Sequence, residues 1–249
     1  MSDNRDAIAR DIAAAYRDPT KRISAARLTG LERADAMAIQ GGVQTLLNET
    51  VPVAKVALGK DGVGLAAPIF SALVRDSGAE IVLGERDFVG LEIEVAARLQ
   101  ADITPDLAKA GPEAVLGAIE YFTLGIELIG SRIDDRTAAG PFGPLADNMV
   151  SGGYVRRADA LRHMPIVDGL PVTMLCDGSV VQSEVAKHPF GDPVKPILAY
   201  ALAADDRFGG LRRGMLVTTG SLSPLLIPQG RGRIEIKLGD LPSVSVVLR

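Results

Sequence analysis

The chain has no tryptophan, one cysteine and two histidines among its 249 residues, and its other aromatics are four tyrosines and six phenylalanines. So few rings leave little of the stacking surface that sugar and single-strand binders present. A lone cysteine, Cys176, closes no internal disulfide; it fits a reducing compartment and reads as a small buried apolar side chain. Basic blocks are also missing. With a net charge of -4 and Lys and Arg spread along the chain, the electrostatic footprint of a nucleic-acid partner is absent. No apolar run approaches the ~20 residues that span a bilayer, and the opening MSDNRDAIARDI is polar where a signal peptide is apolar. A cytoplasmic protein with no membrane partner is expected.

What is present is a large apolar share, 47%, enough for one compact core. Apolar residues at helical spacing predict a first helix over 6–16, stopped by Asp18-Pro19, and a second after Thr29-Gly30-Leu31-Glu32, which has the form of a capping box. Val53 to Leu58 reads as a strand closed by Gly59-Lys60-Asp61-Gly62. Glu80 to Gly84 leads into further strands, interrupted by helices expected near 112–121 and 193–203. Two alternating runs, 233–238 and 243–248, predict a terminal hairpin. Strands outnumber helices without alternating regularly with them, which favours an α+β fold, a mixed β-roll or sandwich, over a doubly wound parallel sheet. The expected division is an N-terminal helical segment, 1–78, and a β-roll catalytic domain, 79–249. None of the glycine-rich stretches completes a phosphate loop, a dinucleotide fingerprint or a nucleophile elbow.

The chemistry is carried by GLEIEVAARLQ at 90–100. On a strand, Glu92 and Glu94 share one face with Phe88, Gly90 and Ala96, while Leu91, Ile93 and Val95 form the other. A wetted strand face is the ordinary reading of an E-x-E, but these neighbours are not polar. Two carboxylates in a partly dry setting repel each other unless a proton or a cation intervenes. In YFTLGIELIGSRI at 121–133, alternation leaves Glu127 as the only charge on its face before Arg132, which is costly without a partner. Glu92, Glu94 and Glu127 together suit a hard divalent cation such as Mg²⁺ or Mn²⁺.

Several stretches resemble one known family almost end to end: LERADAMAIQ at 31–40, VAKVALGKDGVGLAAPIF at 53–70, LEIE at 91–94, GIELIGSRI at 125–133, LADN at 145–148 and TTGSLSP at 218–224. They are similar to the 2-keto-4-pentenoate (2-hydroxypenta-2,4-dienoate) hydratase and 4-oxalocrotonate decarboxylase branch of the fumarylacetoacetate hydrolase superfamily. The resemblance implies that superfamily's fold and a metal-dependent lyase acting on a small 2-oxo or 2-hydroxydienoic acid, with Mg²⁺ or Mn²⁺ on Glu92, Glu94 and Glu127. It implies catalytic roles for Lys55 and Asp147, and substrate contacts from the turn Thr219-Gly220-Ser221. It also implies a homo-oligomer and a place in aromatic catabolism. Hydration to a 4-hydroxy-2-oxo acid is the first expectation. A decarboxylase using the same site, or a catalytically weak assembly partner of a pathway enzyme, is the alternative.

The chain departs from the family at Ala54 and Ala57, where glycines are usual beside the lysine, at Ile93 between the two glutamates, and at Met149-Val150-Ser151. Added Cβ atoms at 54 and 57 are expected to narrow the site. Residues 1–162 contain no histidine, which argues against the superfamily's histidine-assisted C–C hydrolysis. His163 and His188 are expected in loops.

Overall fold

The computed structural model describes residues 2–83, 87–205 and 207–249. In chain order the elements are α1 (Ser2–Arg17), α2 (Arg33–Leu47), β1 (Val53–Leu58), β2 (Gly64–Ile69), β3 (Val74–Asp76), β4 (Glu80–Ile81) and β5 (Asp87–Leu99). They continue with α3 (Pro105–Lys109), α4 (Pro112–Gly117), β6 (Ile119–Ser131), α5 (Gly143–Ala146), β7 (Ser151–Arg156), β8 (Pro171–Cys176) and β9 (Ser179–Val185). The last are α6 (Val194–Leu202), β10 (Leu216–Ser221), β11 (Gly232–Leu238) and β12 (Val244–Leu248). Gly84, placed by sequence at the end of a strand, lies outside the described residues.

Among the described residues the strands form two sheets, seven strands in the order β2-β1-β10-β5-β6-β7-β3 and five in the order β4-β12-β11-β8-β9. Most neighbours are antiparallel, and β1–β10, β3–β7 and β4–β12 are parallel. This is a mixed α+β fold, as the strand count implied. Residues 53–76 contribute β1, β2 and β3 to the seven-stranded sheet, so helices alone make up only the stretch before Val53.

Alternation decides which side chains go where. Leu91, Ile93 and Val95 of β5 and Leu124, Ile126 and Leu128 of β6 join Ile234, Ile236, Val244 and Val246 in the core between the sheets, and Ile197 and Tyr200 of α6 pack into it. The opposite face of the large sheet is concave. β2 and β7, far apart in strand order, come into contact, and Val53, Ile69, Ala96, Tyr154 and Leu216 from five strands form one cluster there. A third cluster, with Ile8, Ile12, Leu28, Ile39, Val43, Phe70, Ile133 and Leu145, joins α1, α2 and α5 beside it.

Several local expectations are corrected. The cap of α2 is Glu32, with Asp35 completing the box, so Thr29 is not the cap. The helix itself, ahead of Val51-Pro52 as its sequence requires, ends at Leu47 on a left-handed Asn48. The helix near 112 ends at Gly117, because Ile119 already pairs with Leu99 as β6 begins. Cys176 is half-buried at the end of β8 against the main core. No helix among the described residues is long and apolar enough to cross a membrane.

Candidate metal centre

Pairing of β5 with β6 sets Glu92 directly opposite Glu127 and Glu94 opposite Gly125. β10 lies on the other side of β5, with Thr218 opposite Ala96 and Ser221 opposite Glu94, and β1 brings Lys55 opposite Thr218. All these side chains except that of Ser221 meet on the concave face. One oxygen from each of Glu92, Glu94 and Glu127 can be chosen so that the three lie within 4.8 Å of one another. The Lys55 ammonium stands 2.7 Å from Glu127 Oε2 and 3.6 Å from Glu92 Oε2.

Glu94 and Glu127 are fully buried, while the Glu92 side chain keeps 23% exposure and opens the centre to solvent. Burial raises the pKa of Glu94 well above the usual carboxylate range, and the charge of Glu127 adds to it. Glu92 is raised for the same two reasons, partly opposed by Lys55. For Lys55 burial acts downward, but Glu127, Glu92 and Glu94 together outweigh it and hold the group as ammonium. Three carboxylates against one ammonium leave a buried excess of negative charge.

Donors satisfy only part of this cluster. The Thr218 hydroxyl and the Gly220 N–H, the latter at 3.2 Å, both donate to Glu94 Oε2. Glu94 Oε1 and Glu127 Oε1 accept nothing. Buried carboxylate oxygens without donors are expensive, and a hard divalent cation with oxygen preference matches both the charge excess and the unused lone pairs. The donor set fits such an ion. Gly220 has φ +112°, and a Cβ there would fall 2.7 Å from Pro189, so the backbone turn that aims its N–H at Glu94 requires glycine.

The remaining sequence-selected residues fall in three places. The Thr219 hydroxyl points away from the carboxylates: it donates to Val95 O at 2.8 Å and meets His188 Nε2 at 3.2 Å. Ser221 Oγ donates to Ser223 O. Thr218, one residue earlier, is the residue of this strand whose hydroxyl donates to Glu94. Asp147 is also buried, but its carboxylate is consumed by Arg132: Nε donates to Oδ1 at 2.5 Å, while the Arg132 N–H and the Ser131 hydroxyl donate to Oδ2 at 2.9 and 3.0 Å. With both oxygens engaged, Asp147 anchors Arg132. Arg132 also donates to Ser151 O and Asp147 O and lies over the Tyr16 ring at 4.3 Å.

Ala54 does not narrow the site. Its side chain belongs to the core between the sheets, on the face opposite Lys55, and only the half-buried Ala57 shares the lysine's face. Asn148, Met149 and Val150 all have positive φ, 49°, 53° and 55°. This left-handed turn is held by Arg132 and by Asn148 Nδ2 donating to the Tyr16 hydroxyl at 2.8 Å. His188 lies in a loop, as expected, and is buried there; burial lowers its pKa. His163 is exposed in a bend, as expected. Arg132, Tyr154 and Thr218 were not singled out for this region from sequence, and Gly220 was named only as part of the turn 219–221. Which hydroxyl of β10 faces Glu94 is set by the β10–β5 register.

No family model matches the chain. The structure superposes over its whole length on 4-oxalocrotonate decarboxylase from Pseudomonas putida G7 complexed with magnesium and adipate, with TM-score 0.84, 18% identity, and coverage of 100% of this chain and 98% of that one. A putative fumarylacetoacetate hydrolase family protein from Yersinia pestis CO92 aligns with TM-score 0.54 and 17% identity over 82% of this chain and 95% of that one. The fold is that of the fumarylacetoacetate hydrolase superfamily. In sequence the chain is 28% identical to the TodF product hydratase of Pseudomonas putida over 80% of its length and 75% of the relative's. It is 28% identical to a 2-keto-4-pentenoate hydratase of Burkholderia vietnamiensis over 78% and 73%, and 28% identical to a 4-oxalocrotonate decarboxylase of a Pseudomonas species over 68% and 64%. These are the hydratases and decarboxylase that the LEIE, GIELIGSRI and LADN stretches pointed to.

Proposed function

We propose that Glu92, Glu94 and Glu127 hold a divalent cation, Mg²⁺ or Mn²⁺, and that the protein is a lyase hydrating a 2-hydroxy-2,4-dienoate to a 4-hydroxy-2-oxo acid. The observation that carries this reading is the buried cluster of three carboxylates with oxygens left unpaired beside one ammonium. When bound, the cation supplies positive charge for the carboxylate and enol oxygens of a 2-oxo acid and stabilises its enolate form. Lys55, kept as ammonium, is suited to donate: it pairs with the substrate carboxylate or delivers a proton as the dienol becomes a ketone, after which water adds across the remaining conjugated double bond. Asp147 contributes by fixing Arg132 and the turn at 148–150. The partly exposed Glu92 marks the side from which substrate enters.

The second reading, release of CO₂ from a substrate carrying a further carboxylate, is favoured by the similarity to 4-oxalocrotonate decarboxylases in sequence and in fold. Both readings share one centre. Freshly generated 2-hydroxydienoates, with and without a terminal carboxylate, are offered to the protein with Mg²⁺ or Mn²⁺ while loss of the conjugated absorbance and CO₂ release are followed together. Hydration without CO₂ supports the first reading, and CO₂ release the second. Inertness toward the whole set, or turnover unchanged in Glu127→Ala, rejects both. A cytoplasmic location and a closed homo-oligomer, as in a soluble catabolic enzyme, complete the proposal.

A further inference from the structure

Tyr154 lies on β7 directly opposite Glu127. It is fully buried, its ring packs with Val53, Ile69, Ala96 and Leu216, and its hydroxyl has no satisfied partner. The ring leans over Gly125, the residue opposite Glu94: a Cβ on Gly125 would fall 2.0 Å from Tyr154 Oη and 2.3 Å from Cζ. Only glycine leaves this space, so the phenol reaches past β6 toward β5 and β10. There, besides burial, the Glu94 charge, the Thr218 hydroxyl and the Glu127 charge act on it. A phenylalanine would fill the apolar cluster equally well. The hydroxyl is thus an added polar group whose burial is costly unless it serves the centre.

Thr218 carries one proton and two lone pairs, and in this structure it donates to Glu94 Oε2. A donor behind it would prevent that proton from turning elsewhere. We propose that Tyr154 is a positioning residue of the carboxylate centre: its neutral phenol donates to Thr218, which fixes the Thr218 proton on Glu94 Oε2 and leaves Oε1 directed at the cation. Gly125 is the companion that makes this approach possible. The inference rests on the metal reading of Glu92, Glu94 and Glu127, and extends it to groups that do not themselves touch the ion. Residues that orient ligands in this way typically govern affinity by about 10- to 100-fold.

The test is calorimetric titration of Mn²⁺ into the full chain without substrate, with the unfolding midpoint of each metal-free variant recorded alongside. Tyr154→Phe is expected to weaken Mn²⁺ binding by about 10-fold or more while retaining the apolar packing. Thr218→Val should cause a similar loss, and the double variant should be no worse than the weaker single. Gly125→Ala, which displaces the ring, should weaken binding as well. Wild-type affinity in Tyr154→Phe overturns the inference. Should that variant fail to fold, wild-type affinity in Thr218→Val overturns it too, because the path runs through that hydroxyl. Failure of the wild-type chain itself to bind Mn²⁺ would instead remove the metal reading and this inference with it.

Discussion

Lys55 Nζ lies 2.7 Å from Glu127 Oε2 inside the concave face of the large sheet, and this one contact joins β1 to β6 across two intervening strands. It cannot balance the centre, because Glu92 and Glu94 stand on the same face. Charge repulsion built into the metal-free protein leads to the following expectations.

Glu94→Gln removes one buried carboxylate while keeping an oxygen for the Thr218 and Gly220 donors. The metal-free variant should be more stable than the wild type by about 1 kcal/mol, raising the melting temperature by roughly 2–4 °C. The same variant should lose the stabilisation that Mg²⁺ or Mn²⁺ confers on the wild type. Differential scanning calorimetry with and without the ion measures both.

The elevated pKa values of Glu94 and Glu92 give stability a definite slope with pH. A carboxyl raised in the folded state holds a proton that the unfolded chain releases, so its contribution is complete below the ordinary value of 4.5 and is lost as pH rises through the folded value. Lys55 is raised from 10.5, so its contribution is complete throughout this range and adds no slope. Metal-free protein should therefore lose stability from pH about 5 upward through this pair, and the cation-induced rise in melting temperature should grow over the same interval. Thermal unfolding as a function of pH, with chelator and with Mg²⁺, checks the sign.

Val150 is a β-branched residue held at φ 55°, a conformation that costs about 1–2 kcal/mol for an L residue and that asparagine tolerates better. Val150→Asn should raise stability by about 1 kcal/mol, read as a shift of the denaturation midpoint at unchanged slope. No gain would mean that the half-buried Val150 side chain supplies packing equal to the strain.

How much of this was legible in the sequence follows from the range of each interaction. Alternation along β5 and β6 put Glu92, Glu94 and Glu127 on like faces, because the period of a strand is local and both strands are long. The fold class followed from the excess of strands, and the family stretches pointed to the superfamily fold. What was not legible depended on register or on distant partners. Thr218 reaches Glu94 because the pairing of β10 with β5 sets the face. Asp147 is taken up by Arg132, fifteen residues away, a pairing that the Asp-Asn turn chemistry of 147–148 conceals. The buried role of His188 depends on a hydroxyl contributed by β10.

The most direct test of the account is a Mn²⁺ titration of the wild-type chain and of Glu127→Gln, followed by electron paramagnetic resonance. The account predicts one tightly held ion per wild-type chain, raising stability by about 2.7 kcal/mol at a hundredfold excess over the dissociation constant, and loss of that ion in Glu127→Gln. A wild-type chain that holds no Mn²⁺ or Mg²⁺, or a Glu127→Gln chain that holds it equally well, would contradict it.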